Sequence, residues 1–402
     1  MTAVRFGRGT VGYCAEANAA EAQTGERRMP DDRADVVICG GGVIGVAIAY
    51  YLAKRGVPSQ IIEADGVASG ASGAAAGLLS PPTADQARGP LGELLRLSFD
   101  MHARLAASLI AESGIDYEFA QAPRLLLALS KEEERTLRAE VERRHGVGLE
   151  ARWLTPSDVR RVCDWIDQPV FGALVGETPA QVDPYRYTLA LLTAAERFGV
   201  SLRTGRVTGL ERTDERVSGV HVGDSTVHAQ TVVIAMGPWS AEAAEWLGCP
   251  VPIEPLKGQI VRVRPPRPLT TCGFSNLNDD YVMPKPSGLV YLGTTQERVG
   301  FDLAPTTAAR DQILRFGLQA ASVLGEAEFV DQTACLRPLS ADDVPIMGRA
   351  PGLEGAYVAT GHGRKGILMS PAVGRAMAEL IIDGAATSLN LTPFDPARFA
   401  QA

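Results

Sequence analysis

Three glycines that follow a short apolar run have the spacing G-x-G-x-x-G: Gly40, Gly42 and Gly45. In such a turn the first glycine permits a tight bend, and the second lets the backbone approach a pyrophosphate. The third allows a helix to pack closely on a strand. Glu63 follows roughly 20 residues later, where a carboxylate hydrogen-bonds a ribose diol and repels a 2′-phosphate. These residues predict a dinucleotide site that disfavours NADP.

The elements needed to hold those residues are encoded around them. The run "ADVVICG" is β-branched and apolar, which is typical of a buried parallel strand. The stretch from Val43 to Arg55 has helical character, and Gly56 is suited to end the helix. The run "SQIIEA" predicts a second strand that closes with Glu63. Together these elements form a βαβ unit, the context in which the glycine spacing becomes informative.

The later chain continues the alternation of strands and helices. Residues 183–205 predict a helix and then a strand, and "TVVIAMGPWS" predicts a buried strand that runs into a Gly-Pro turn. Residues 355–384 predict a strand, a glycine-rich turn and a helix. The fold class predicted from this pattern is α/β.

Two stretches differ from that pattern and predict a second, α+β domain inserted between pieces of the first. Residues 91–150 are helical and charged, and residues 253–292 have strand-like alternation. We assign 34–90, 180–250 and 332–395 to the nucleotide-binding domain, and 91–179 and 251–331 to a substrate-binding domain. Residues 1–33 are rich in small and charged residues and are expected to form a disordered extension, within which Met29 is an alternative start of translation.

Composition narrows the function classes. The net charge of −8 argues against a broad nucleic-acid surface, which needs a basic stripe. No apolar run reaches the ~20 residues of a membrane helix. The six cysteines lack CxxC spacing, so the sequence predicts neither a metal site nor a disulfide framework, and a cytoplasmic protein is expected. A homo-oligomer is compatible with all of this.

The nucleotide is indicated by the small-residue run "ASGASGAAAGLLSP", which allows a large planar cofactor to lie against backbone. With this run, the chain resembles the FAD-dependent D-amino-acid oxidase superfamily, most closely its glycine oxidase branch, with sarcosine oxidase and D-amino-acid dehydrogenases as relatives. The resemblance extends over 34–395 through the glycine motif, "QVDPYRY", "PLKGQIVRV", "YVMPKPSGLVYLGTT", "CLRPLSADDVPIMGR" and "GHGRKGILMSPAVG".

The resemblance implies FAD as the cofactor, held by a Rossmann-like domain in discontinuous segments, with an inserted substrate domain of mixed β-sheet and helices. It places FAD against these residues: Gly40, Gly42, Val43, Ile44, Gly45, Glu63, Ala64, Ser72, Gly73, Ala75, Ala76, Gly77, Leu79, Val207, Gly237, Trp239, Gly361, Gly363, Arg364, Lys365, Gly366 and Ile367. Lys365 matches a lysine that sarcosine oxidases hold near this locus.

The resemblance also implies the reaction, in which a small amino or N-alkylamino acid transfers a hydride to flavin N5 and the imine is hydrolysed to a 2-oxo acid. Arg337 matches the arginine that binds the substrate carboxylate, and Tyr281 matches a tyrosine that assists there. Arg364 matches a second active-site arginine. Leu78 and Gln296 fall at positions of the pocket wall.

A tRNA-modifying flavoprotein and a non-catalytic FAD-binding subunit are further alternatives, disfavoured by the acidic net charge and by the presence of Arg337, Tyr281 and Arg364. Two questions also stay open at this point. The electron acceptor is oxygen, or else the enzyme is a D-amino-acid or proline-type imino-acid dehydrogenase that passes electrons to a quinone or protein. Cys335 lies two residues before Arg337, where sarcosine oxidases carry the cysteine bonded to the flavin. Glycine oxidases usually have glycine there, and we interpret Cys335 as a small core thiol beside a noncovalent FAD.

Overall fold

A parallel β-sheet with helices on one face carries the glycine motif in the computed structural model, which describes residues 32–400. The predicted disordered extension lies outside the described residues, apart from its last two. The strands are β1 (Val36–Cys39), β2 (Gln60–Glu63), β3 (Leu78–Leu79), β4 (Ala120–Gln121), β5 (Arg124–Ala128), β6 (Ala151–Leu154), β7 (Gly172–Gly176), β8 (Ala180–Gln181), β9 (Ser201–Thr204), β10 (Val207–Thr213), β11 (Arg216–Val222), β12 (Ser225–His228), β13 (Thr231–Ile234), β14 (Ile253–Arg264), β15 (Gly273–Ser275), β16 (Tyr281–Pro284), β17 (Val290–Gly293), β18 (Glu328–Ser340), β19 (Ile346–Arg349) and β20 (Ala356–Thr360).

The helices alternate with these strands in the first and last parts of the chain. They are α1 (Val43–Ala53), α2 (Ala71–Ala74), α3 (Pro90–Ser113), α4 (Lys131–His145), α5 (Pro156–Val162), α6 (Pro184–Glu196), α7 (Ala243–Leu247), α8 (Thr307–Ala320) and α9 (Gly366–Asp383). No helix among residues 32–400 is long and apolar enough to cross a membrane.

The six-stranded sheet has the order β19-β20-β13-β1-β2-β9. Its strands pair in parallel, except that β19 is antiparallel to β20 at one edge. Strand β1 is completely buried because helices cover one face of the sheet and the small antiparallel sheet β10-β11-β12 packs on the other. The predicted βαβ unit is confirmed, since β1, α1 and β2 occupy the expected positions.

Helices α1 and α9 pack very closely on that sheet. A Cβ atom added to Gly374 of α9 would come within 2.8 Å of the backbone of Ala47 in α1. Helices α3 and α6 complete the same hydrophobic core. This close contact brings the starts of α1 and α9 to the same edge of the sheet.

The second large sheet has eight strands in the order β18-β14-β17-β16-β15-β5-β7-β6. It is antiparallel except for the pair β15 and β5, and its longest pairing joins β14 with β18. One face packs on α5 and α8 around the buried residues Trp165, Phe274 and Phe316. The opposite face is turned toward the six-stranded sheet, so two sheets of different construction enclose the space between them.

This architecture confirms the predicted fold class, a Rossmann-like α/β part with a mixed-sheet second part. The domain bounds assigned from the sequence stay a prediction. Helix α3 falls almost entirely in a segment assigned to the substrate-binding domain, but it shares its buried face with α1 and α9. Strand β18 falls mostly in a segment assigned to the nucleotide-binding domain, but it pairs with β14 in the eight-stranded sheet.

Candidate functional site

The turn between β1 and α1 needs glycine at two positions for different reasons. Gly40 has a φ of +113°, and a Cβ there would lie 2.4 Å from the carbonyl oxygen of Ala235. A Cβ at Gly45 would lie 2.2 Å from the carbonyl oxygen of Gly40. A Cβ at Gly42 would meet only the Ser72 hydroxyl, at 3.4 Å, because this residue faces open space. Gly42 therefore leaves room for a ligand and is not required by packing.

Two side chains fix this turn from outside it. The Val43 N–H, at the start of α1, donates to Ser72 Oγ at 2.9 Å. The Gly41 N–H donates to Glu63 Oε2 at 2.6 Å, and Glu63 Oε1 accepts from the Asp65 N–H at 3.0 Å. The carboxylate predicted to bind a ribose is thus held at the end of β2, beside the glycine turn.

A cavity of about 1140 Å³ extends from this turn to the eight-stranded sheet. Most of the residues predicted from the sequence line it: Gly40, Gly42, Val43, Ile44, Ser72, Ala75, Ala76, Gly77, Leu78, Gly237, Trp239, Tyr281, Arg337, Gly361, Gly363, Arg364, Lys365, Gly366 and Ile367. Other predicted residues are not brought to its wall: Gly45, Glu63, Ala64, Gly73, Leu79, Val207 and Gln296. Val207 and Leu79 are buried in the core, and Gln296 is exposed beside a separate, smaller pocket.

Arg337 is buried in the cavity wall, with 9% of its surface exposed. Its Nη1 donates to the Thr295 carbonyl at 3.0 Å, and its Nη2 donates to Thr294 Oγ1 at 2.6 Å. The side chain lies across Gly258 of β14, where any Cβ would overlap the guanidinium. No carboxylate among the described residues forms an ion pair with it, and burial lowers the pKa of Arg337. A buried cation without a counter-ion is a natural site for an anion.

Tyr281 on β16 lies on the same wall of the cavity and is 8% exposed. Its ring packs against the backbone of Gly293 on the neighbouring strand. Burial raises the pKa of Tyr281, so the hydroxyl stays protonated at neutral pH and can donate a hydrogen bond. Leu78 lines the cavity from β3 and packs near Tyr281.

The "GHGRKGI" segment forms the turn between β20 and α9 and carries two cations with different partners. Arg364 Nη1 donates to Asp279 Oδ2 at 2.7 Å, and Lys365 Nζ donates to the amide oxygen of Gln86 at 2.7 Å. Burial lowers the pKa of Lys365 to about 8. The imidazole of His362 is buried, and burial lowers its pKa to about 3, so it is neutral.

Sequence reasoning missed several residues of the wall: Arg124, Thr294, Gln86 and Asp279. A signal existed for Arg124, since a single charge stands at the start of the apolar run "RLLLA". None existed for Thr294, whose part in the site comes from a contact with a residue on another strand.

These residues fit a large dinucleotide cofactor. The first turn of α1 has no acidic side chain, so the N–H groups there that Ser72 does not occupy can receive a pyrophosphate, and Gly42 leaves that approach open. The cavity reaches far enough to take a ring system against the small residues 75–77 and the turn that begins α9. Fold and cavity thus define a dinucleotide-binding α/β protein with an anion site opposite the cofactor cradle.

Comparison with known proteins agrees with that class. Residues 35–380 match the family model described as FAD dependent oxidoreductase. The chain is 31% identical over 367 residues to a glycine oxidase of Geobacillus kaustophilus, covering 91% of this chain and 97% of that protein. It is 30% identical to the hydrogen cyanide synthase subunit HcnC of Pseudomonas aeruginosa, covering 91% and 96%.

Solved structures give the same result. The crystal structure of glycine oxidase from Geobacillus kaustophilus has a TM-score of 0.86 at 31% identity, covering 91% of this chain and 99% of that one. That of L-proline dehydrogenase from P. horikoshii has a TM-score of 0.79 at 25% identity, covering 92% and 98%. The chain belongs to the family of FAD-dependent oxidoreductases that includes glycine oxidase, and its cofactor is FAD. The resemblance seen in the sequence is confirmed.

Proposed function

We propose that this enzyme oxidises the C–N bond of a small amino or N-alkylamino acid, with glycine, sarcosine and small D-amino acids as candidates. Bound FAD would supply a two-electron acceptor for the hydride that leaves the substrate Cα as the nitrogen lone pair forms the C=N bond. Water then hydrolyses the imine to a 2-oxo acid and the free amine. The observation that carries this proposal is Arg337, a buried cation in the cavity wall without a carboxylate partner among the described residues.

Each side chain has a distinct part in the proposed reaction. Arg337 pairs with the substrate carboxylate, and its two hydrogen bonds to Thr294 and Thr295 hold the guanidinium at a fixed angle. Tyr281 donates a hydrogen bond to the same carboxylate, since its hydroxyl is protonated and makes no other hydrogen bond within residues 32–400. Leu78 bounds the space left for the substrate. This arrangement orients the substrate Cα. None of the three side chains is an acid that would stabilise a protonated substrate nitrogen, so the nitrogen can lose its proton.

A second candidate has the same pocket and a different electron acceptor, a quinone or a protein in place of oxygen. Two similar proteins support this second candidate: one is named as a hydrogen cyanide synthase subunit, and the other is an L-proline dehydrogenase. We also propose that the reaction occurs in the cytoplasm. The described cysteines are unpaired, as expected in a reducing compartment: Cys39, Cys163, Cys249, Cys272 and Cys335.

One experiment tests both parts. The purified yellow enzyme is mixed without oxygen with glycine, sarcosine, D-alanine or D-proline while the flavin absorbance is followed. Rapid bleaching identifies the substrate, and failure of every amino acid to bleach the flavin would refute the proposal. Air is then admitted. Recolouring within seconds indicates an oxidase, whereas recolouring only after a quinone is added indicates a dehydrogenase.

A further inference from the structure

Arg124 is a second cation in the cavity, and the proposed function does not use it. It begins β5, and its side chain lines the cavity together with that of Leu126. The intervening Leu125 and Leu127 are buried in the core on the other face of the sheet. Strand alternation therefore directs Arg124 to the same face as Tyr281, which lies two strands away in the order β5-β15-β16.

No carboxylate among residues 32–400 forms an ion pair with Arg124. The acids on the cavity wall that do form ion pairs are each held by another arginine: Asp279 by Arg364, Asp85 by Arg143, Glu140 by Arg144 and Glu177 by Arg96. The remaining acids of the wall, Glu150 and Asp343, are exposed. The charge of Asp279 also favours that of Arg124, but Asp279 is already paired with Arg364, so Arg124 can still receive an anion that enters the cavity.

The surroundings of Arg124 raise the free-energy cost of keeping its charge without an anion as partner. Burial, followed by the nearby charge of Arg144, lowers the pKa of Arg124 to about 10. Lys365 has an amide oxygen of Gln86 as its hydrogen-bond partner and is itself destabilised by the charge of Arg124. An anion placed between these groups would relieve both burial and like-charge repulsion.

The cofactor does not account for this cation. The phosphates of a dinucleotide belong at the start of α1, on the six-stranded sheet, whereas Arg124 lies on the eight-stranded sheet. The substrate carboxylate does not account for it either, since Arg337 is on β18, three strands beyond Tyr281 on the other side. Tyr281 therefore stands between two separate anion sites.

We infer that Arg124 binds a second carboxylate of the substrate, so that the preferred substrate is a dicarboxylic amino acid whose second acid is on the nitrogen substituent or side chain. This rests on the proposed function, in which Arg337 holds the first carboxylate. Arg124 on β5 and Arg337 on β18 are five strands apart in the sheet, so we expect the preferred substrates to be those in which several bonds separate the two acids. Neutral substrates such as sarcosine fill only the Arg337 end.

Matched substrate pairs test the inference. N-carboxymethyl-, N-carboxyethyl- and N-carboxypropylglycine are compared with N-ethyl-, N-propyl- and N-butylglycine, in wild type and in Arg124→Met. The kcat/KM ratio of acid to neutral partner should fall about 30-fold in the variant, the loss expected for one ion pair in a partly desolvated site. Turnover of sarcosine should change by less than about threefold, and Arg124→Lys should restore part of the ratio.

The control is Arg262→Met, because Arg262 lies on the same sheet but outside the cavity, paired with Asp331 at 3.0 Å. An unchanged ratio in Arg124→Met, or an equal loss for sarcosine, overturns the inference while leaving the proposed function intact. Binding is also measured with glutarate against butyrate, by titrating the flavin spectrum. If no amino acid is oxidised yet glutarate binds in an Arg124-dependent way, the second site stands and the proposed reaction fails.

Discussion

Asp279 and Arg364 join the two halves of the molecule across the cavity, with 2.7 Å between Oδ2 and Nη1. Asp279 is in the turn between β15 and β16, and Arg364 is in the turn between β20 and α9. The two side chains are 59% and 34% exposed, so solvent screens the pair. The pair neutralises one of the two arginines predicted to act on substrate, whereas the other, Arg337, has no ion pair among residues 32–400 and only a distant charge interaction with Asp279.

Replacing Asp279 by a neutral residue should strengthen the binding of a carboxylate ligand in the cavity. Asp279→Asn removes a negative charge from the cavity and frees Arg364, so the affinity for a small carboxylate inhibitor should rise about two- to fivefold, an effect that salt reduces. The free energy of unfolding should change by less than about 1 kcal/mol. Inhibitor affinity is measured by flavin titration, and the free energy of unfolding by denaturant unfolding. Asp331→Asn is the control, because its partner Arg262 is outside the cavity. Weaker inhibitor binding would contradict this reading of the ion pair.

The cofactor cradle can be tested at a glycine that packing does not require. Gly42→Val should give folded but colourless protein, because its side chain fills space reserved for the pyrophosphate and meets only Ser72 in the protein. Glu63→Arg should have the same result through charge at the ribose. The measurement is the FAD content per protein together with circular dichroism. Gly325→Val, at an exposed glycine outside the cavity, should keep its FAD, and full FAD content in both cradle variants would show the site to be elsewhere.

Removal of the Arg337 charge should weaken substrate binding and also slow hydride transfer. Arg337→Met should raise KM by one to three orders of magnitude, since a charged pair in a desolvated site is worth roughly 2–4 kcal/mol. It should also lower kcat, because a misaligned Cα–H loses its approach to the acceptor. Steady-state kinetics on the substrate identified above checks this. Near-normal kinetics would assign the carboxylate to another residue.

Lys365 should influence the flavin more than the substrate. We expect its ammonium to favour negative charge on the reduced ring, and loss of about 2 kcal/mol would slow reduction roughly 30-fold. Burial lowers the pKa of Lys365 to about 8, below the ordinary lysine value, so the charge is present below pH 8 and is lost above it. The ratio of wild-type to Lys365→Met reduction rates should therefore be largest at pH 6–7 and shrink as pH rises past 8.

The same variant separates this role from substrate binding. Inhibitor affinity should be almost unchanged in Lys365→Met, while the flavin reduction potential should fall. If the inhibitor is lost and the potential is constant, Lys365 contacts the substrate.

The linkage of FAD can be decided by acid precipitation. Cys335 lines the cavity, but burial raises the pKa of its thiol, which keeps it protonated and a poor nucleophile at neutral pH. We expect a yellow supernatant and a white pellet, and Cys335→Ala should retain both FAD and activity. A yellow pellet that turns white in the variant would establish a covalent bond.

The family and the location of the glycine turn could be predicted from the sequence alone. The spacing of Gly40, Gly42 and Gly45 is informative because backbone conformation and close packing require Gly40 and Gly45, while Gly42 leaves room for a ligand. The βαβ unit around them follows from short-range periodicity. The motifs along residues 34–395 were sufficient to indicate FAD, and the family model that matches residues 35–380 confirms it.

Which charged side chains contact one another depends on tertiary contacts that the local sequence does not specify. The sequence did not show which of Arg337, Arg364 and Arg124 has an acidic partner. Within residues 32–400 only Arg364 of these three forms an ion pair, with Asp279, because strands and turns far apart in the chain meet at the cavity. The misplacement of Gln296, predicted to lie in the pocket wall, has a similar cause. Gln296 is exposed although Thr294 and Thr295 are buried, since the position at which a strand leaves the sheet depends on its neighbours, which local sequence does not specify.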